Sequence, residues 1–187
     1  MTPRWTDLDR WSFRFVSRKT RGLDGFTVSE YPIRQLGEFL ESTLNGFCQK
    51  PATHPTGTRT LKLNAIGTDG LNTEQSKFVD VREEVAEHFD MRKNDILICR
   101  SIGSFSMVAK TALVPNDLPG FIFPDIIIRV RLDSAAIIAP YARELLESEL
   151  GRQYFQTRAR TAVGMWKIGS ADILAFPIPL PPPRRPT

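Results

Sequence analysis

Apolar residues recur along the chain at two spacings, every second position or every third to fourth, and the switches between them divide it into strands and helices. The stretch from Asn94 to Lys110 is the clearest. Asn94-Asp95 has turn chemistry, and Ile96 to Cys99 is a short apolar run that reads as a buried strand. Ser101, Gly103 and Ser104 mark a sharp bend, with Arg100 and Lys110 on its shoulders, before a second strand that Thr111 to Val114 complete. Upstream, Ile33, Leu36, Phe39 and Leu40 stand at helical spacing and predict a short amphipathic helix. Gln49 to Thr60 is rich in Pro, Thr and Gly, which predicts a loop. Leu61 and Leu63 then alternate with Lys62 and Asn64. That predicts a half-buried strand through Ile66 to the turn Gly67-Thr68-Asp69-Gly70, with Lys62 and Asn64 on its open face. Val81, Val85 and Phe89 make one helical stripe, with Asp80 as cap and Glu83 in the capping-box position.

Phe121 to Leu132 predicts a strand of core sheet around the β-branched run Ile126-Ile127-Ile128. Pro140 opens a helix carrying Tyr141, Leu145 and Leu146, and Ser148 caps a second, Leu150 to Arg160, which exposes Arg152, Arg158 and Arg160. Thr161 to Ser170 reads as a Gly-bounded loop and Asp172 to Phe176 as a last strand. The run Pro177 to Pro183 reads as extended polyproline structure. At the other end, residues 1–30 interleave Arg4, Arg10, Arg14, Arg18, Lys19 and Arg21 with Trp5, Trp11, Phe13 and Phe15. Such a mixture either grips nucleic acid by stacking and phosphate contact or forms an edge strand with its rings inward.

Composition adds bounds. A chain of 187 residues is expected to form one domain with a real core, and 41% hydrophobic with 25% charged residues is the balance of a soluble globular protein. The +4 charge, from 25 Lys+Arg against 21 Asp+Glu, is modest, so only the placement of the cations can point to an anionic partner. Cys48 and Cys99 lie far apart, and Cys99 falls inside an apolar strand, which fits a reducing cytoplasm. The first residues lack the apolar core of a signal peptide, and no apolar run reaches bilayer-spanning length. Two Cys with His54 and His88 never come at ligand spacing, so no metal is expected.

Catalytic signatures are missing too. The chain has no Asn/Asp-Pro-Pro-aromatic methyltransferase motif and no phosphate-cradling Gly-x-x-x-x-Gly-Lys-Ser/Thr loop. Pro124-Asp125 precedes an apolar strand as in some nucleases, but Arg129-Val130-Arg131 stands where Glu-x-Lys would bind a metal. No catalytic residue and no cofactor is expected.

Four segments carry a resemblance: Tyr31 to Glu38, Lys93 to Gly103, Leu150-Gly151-Arg152 opening a helix, and Ile173 to Pro183. In this order and spacing the chain resembles the target-recognition domain of type I restriction-modification specificity (S) subunits. The resemblance implies an α+β fold, a single target-recognition domain with a twisted, mostly antiparallel β-sheet core flanked by short helices. On it, residues 1–30 are the basic and aromatic N-terminal segment, 31–176 the recognition domain and 177–187 a Pro-rich tail. It also implies a cytoplasmic, non-catalytic protein that binds double-stranded DNA and directs a separate adenine methyltransferase subunit to it, with a restriction or effector subunit joining. Family subunits carry two such domains joined by long helices, so a single one is expected to dimerise or to join a split complex.

The residues expected towards DNA are Lys62, Asn64, Arg100, Ser101, Ser104, Lys110, Arg158, Arg160, Trp166 and Lys167. Arg and Lys suit guanine edges or phosphates and Asn suits an adenine edge, while Arg158 and Arg160 at a helix end suit phosphates. Met165 and Trp166 either wedge beside bases or plug the core beneath their loop. The alternative to DNA recognition is a protein-protein adaptor of a defence complex, docking through the Pro-rich tail.

Overall fold

The computed structural model describes residues 31–67 and 70–180. The basic and aromatic segment with its alternating Trp11, Phe13 and Phe15 lies outside the described residues, as do Thr68, Asp69 and the tail from 181 to 187.

The chain enters through β1 (Ile33–Gln35), makes one 3-10 turn (Leu36–Phe39) and continues as β2 (Leu40–Asn45). After a loop come β3 (Thr58–Leu61), a second 3-10 turn (Leu63–Ala65), β4 (Ile66–Gly67), β5 (Gly70–Leu71), β6 (Ser76–Val79) and helix α1 (Glu83–His88). Then follow β7 (Ile96–Cys99), β8 (Ser101–Ile102), a 3-10 turn (Phe105–Met107), β9 (Thr111–Leu113), β10 (Phe121–Ile122) and β11 (Ile127–Leu132). The last part holds α2 (Ala139–Glu147), α3 (Glu149–Arg158), β12 (Arg160–Ala162), β13 (Met165–Lys167), α4 (Ser170–Leu174) and β14 (Pro177–Pro179).

A four-stranded antiparallel sheet in the order β2-β11-β7-β9 forms the middle layer. Successive side chains of a strand point to opposite faces, so a run that is apolar at every position needs cover on both. β7 has it. Ile96 and Ile98 pack on one face with Ile128, Val130, Leu146, Phe155 and Phe176, while Leu97 and Cys99 pack on the other with Ile127, Leu61, Ala65 and Phe123. Helices α2, α3 and α4 cover the first face; the sheet β10-β3-β6 and the hairpin β4-β5 contribute to the second. The fold is α+β and mostly antiparallel, as the sequence predicts, with only the β10-β3 pair parallel among the described residues.

Ser148 caps α3 as expected, accepting from Gly151 N at 2.9 Å, and Pro140 sits in the first turn of α2. Several other expectations are corrected. Residues 33–40 form no α-helix, because β1 pairs with β14 and β2 pairs with β11 from Leu40 onward, leaving four residues for a 3-10 turn. The strand expected from Leu61 lies earlier, at Thr58–Leu61, and breaks at Lys62 into the turn that carries Asn64, so these two side chains share no strand face. Asp80 does not cap α1; Arg82 holds the cap position without a side-chain bond, and the Asp80 carbonyl accepts from Gln49 instead. Asp172 to Phe176 is not a strand, since the Asp172 carboxylate accepts from Gly169 N at 2.8 Å and starts helix α4. Pro177–Pro179 is a ladder strand, not free polyproline: it pairs antiparallel with Ile33–Gln35, and the Tyr141 hydroxyl donates to the Pro179 carbonyl at 2.5 Å. Among the described residues no helix is long and apolar enough to cross a membrane.

Candidate nucleic-acid interface

Where β7 leaves the core, the main chain of Arg100 is fixed on both sides. Its N–H donates to Ile126 O at 2.9 Å and its carbonyl accepts from Ile168 N at 2.9 Å. The next two residues do not bend freely, as the sequence suggests, but form β8, which pairs with β13 through Ile102↔Trp166 and Ser101↔Lys167. Ser101 is therefore buried and tied in by its backbone. Ser104 is exposed, its hydroxyl 3.0 Å from that of Ser106. The Phe105–Met107 turn takes up the approach to the expected second strand, which is present as β9 (Thr111–Leu113). Ala109, at φ 61, returns the chain to Lys110, whose carbonyl accepts from Cys99 N at 2.8 Å.

The segment Thr161 to Ser170, expected as a loop, is mainly a β-hairpin, and Arg160 lies on its first strand rather than at a helix end. Val163 and Gly164 turn it with φ of 50° and 71°; positive φ at both central residues gives the twist that a two-residue hairpin needs. Arg160 stands directly opposite Lys167, and Thr161 opposite Trp166. Trp166 is half-buried, packs against the core and carries the exposed Phe105 ring 4.6 Å from its own. It is a plug beneath the loop and the base of an aromatic pair at once. Arg158 closes α3 with its guanidinium 3.7 Å from the centre of the Tyr154 ring, donating to the Tyr154 carbonyl at 3.2 Å.

Charge is distributed unevenly. No Asp or Glu occurs from Ile96 to Asn116 or from Leu150 to Ala171, and β8–β13 pairing joins these two stretches in one sheet. Among the described residues, the side chains of Arg100, Lys110, Arg160 and Lys167 make no ion pair or hydrogen bond. Several cations elsewhere are engaged. Arg131 forks onto Asp95 with two 2.7 Å bonds, and Arg129 donates to Asp90 at 2.8 Å. Arg59 lies between its cross-strand neighbours Phe78 and Phe121, 5.0 and 5.6 Å from their ring centres. A cavity of about 760 Å3 between α1 and the 117–121 segment is lined by Asp80, Glu83, Glu87, Asp90 and Asp117, with Arg92. Its sign is wrong for a polyanion. Lys62 and Asn64 stand on their own short turn, where the Asn64 amide donates to Gln75 Oε1 at 2.8 Å; they do not belong to the β8-β13-β12 sheet.

Three residues outside the expected set hold this surface in place. Arg152 donates to the carbonyls of Val108, at 2.6 Å, and Ser106; Glu147 accepts from Thr111 N; Gly151 lets α3 start against the last turn of α2. A Cβ at Gly151 would overlap the carbonyl oxygens of Leu145 and Leu146. The Leu150-Gly151-Arg152 segment thus has a local purpose, a tight corner followed by a clamp. Burial and the nearby Glu147 carboxylate push the Cys99 thiol up to about 12, against Lys110 and Arg152. The acid-free stretch that begins at Leu150, directly after Glu147 and Glu149, is the sequence signal that could have marked this corner.

No family model and no curated protein matches the chain. Its fold is that of solved type I restriction-modification S subunits. It is similar to the S subunit of the type I restriction-modification system from M. genitalium, with a TM-score of 0.54 and 14% identity over 81% of this chain and 34% of that one. A structure concerned with complex assembly and conformational transition of the type I R-M system gives 0.52 and 17%, with the same coverage. The chain spans about a third of the length of each.

Proposed function

We propose that the chain is a non-catalytic, sequence-specific double-stranded DNA-binding subunit, which in the cytoplasm directs a separate DNA adenine methyltransferase, and a restriction or defence effector with it, to a target. The observation that carries the reading is Arg160 directly opposite Lys167 with no carboxylate on either among the described residues. Like charges facing across a strand pair destabilise a sheet, so this arrangement works against the fold unless an anion lies over it. Arg100, Lys110 and Arg158 extend the cationic surface, Ser104 and Trp166 border it, and Ser101 holds it by its main chain. Lys62 and Asn64 offer a second contact from their own turn. One such surface reads few base pairs, so the protein acts as a homodimer or inside a larger complex.

Binding of duplex DNA measured across salt concentrations tests this. Replacing both Arg160 and Lys167 by Ala should lower the slope of log K against log salt by about two units, near 0.9 per lost phosphate contact. A partner protein bound with no salt-steep DNA affinity would favour the adaptor reading. That reading has lost part of its docking strip, because Pro177–Pro179 is paired inside the fold.

A further inference from the structure

The hairpin β12–β13 runs past the sheet that supports it. β8 pairs with Trp166 and Lys167 only, so Met165, Gly164 and Val163 lie beyond its last partner. At roughly 3.4 Å per residue that overhang is about 7–10 Å. The major groove of B-DNA is roughly 8.5 Å deep and wide enough, at about 12 Å, for a two-stranded ribbon, whereas the minor groove at about 6 Å is not.

The residue at the tip is chemically out of place. Val163 is a β-branched residue at φ 50, a conformation such side chains avoid, in a turn whose preferred first residue is Asn or Gly. It is also fully exposed, at 102%, and one of three exposed large hydrophobics among the described residues. A second, Phe105, leans on Trp166 of the same hairpin. Neither packing nor turn geometry is served by valine here. The hairpin base carries Arg160 and Lys167, three residues back on each strand, at the height of the phosphates when the tip is at the groove floor. The apolar group on that floor is the 5-methyl of thymine.

We propose that Val163 is a specificity-determining residue: the ribbon enters the major groove and sets the Val163 side chain against a thymine 5-methyl group. This rests on the DNA-binding reading above. The test binds the full chain to a pool of randomised duplexes, and to the same pool with uracil replacing every thymine, which deletes only the methyl group. Wild type should prefer thymine over uracil at one or more positions by about four-fold, the worth of one buried methyl group. Val163→Asn should abolish that preference and raise the melting temperature, because Asn-Gly suits the turn. Val163→Gly, which relaxes the turn with no side chain, should also lose the preference. If wild type binds both pools alike, or Val163→Asn keeps the preference, the proposal is overturned while the DNA-binding reading stands. If neither pool is bound and the Arg160, Lys167 double variant behaves as wild type, both fall.

Discussion

Arg152, on the first turn of α3, donates to the carbonyl of Val108 at 2.6 Å across 44 positions of sequence. Its other terminal nitrogen holds Ser106 O, so one guanidinium fixes the whole turn between Ser104 and Lys110. Hydrogen bonds from a charged donor contribute more than neutral ones, and Arg152→Met should cost about 1.5–3 kcal/mol. Hydrogen exchange at the 104–110 amides should rise well beyond what that loss of global stability accounts for. Exchange that changes only in proportion to global stability would show that the turn stands without the clamp.

The pair Arg131 and Asp95 makes a different prediction. Asp95 is 1% exposed, and both carboxylate oxygens meet the Arg131 fork while Arg92 N donates at 2.7 Å. Removing the cation strands a buried carboxylate, so Arg131→Met should destabilise by about 3–5 kcal/mol. Adding Asp95→Asn to that variant should recover part of the loss. A double variant as unstable as the sum of both singles would mean the two side chains act independently.

Asp90 sets an acid limit. Burial alone would raise its carboxyl, but the Arg92 hydrogen bond and the charges of Arg131, Arg92 and Arg129 hold it below the usual range. The unfolded chain therefore takes up this proton first, near pH 4. Stability from Asp90 is fully present above that value and is lost as pH falls through the lower folded one. Melting temperature measured from pH 6 to pH 3 should fall less steeply for Asp90→Asn than for wild type; parallel curves would count against the assignment.

Cysteine chemistry reports on the core. Cys48 is exposed, whereas Cys99 is buried in β7 with its thiol held neutral. Alkylation at pH 8 should label Cys48 in the native protein and Cys99 only in denaturant. Rapid native labelling at Cys99 would show that β7 opens far more readily than its burial allows.

Elements governed by adjacent residues were legible in the sequence. Ile96 to Cys99, Pro140 at a helix start and Ser148 at a cap each follow from chemistry within a few positions. Short apolar runs were not. Leu36 and Phe39 fit a helix as well as the strand–turn–strand that β11 and β14 impose, and Ile173 to Phe176 is too short for periodicity to decide. The hairpin was missed because Val163 is no turn residue, which left Gly164 as the one turn signal at its tip. Of the candidate surface, the cations were readable but their grouping was not. Arg160 and Lys167 meet only once the turn is known, and Ser101 looks free until β13 covers it.

The pairing of Ile33–Gln35 with Pro177–Pro179 places the two ends of the folded body side by side. Its topology is therefore that of a cassette: whatever precedes Ile33 and whatever follows Pro179 depart from one corner. The body could be lifted out of one polypeptide and set between two neighbouring positions of another without redirecting either flank. Exchange of this body for another of the same build would then leave the path of the host chain intact.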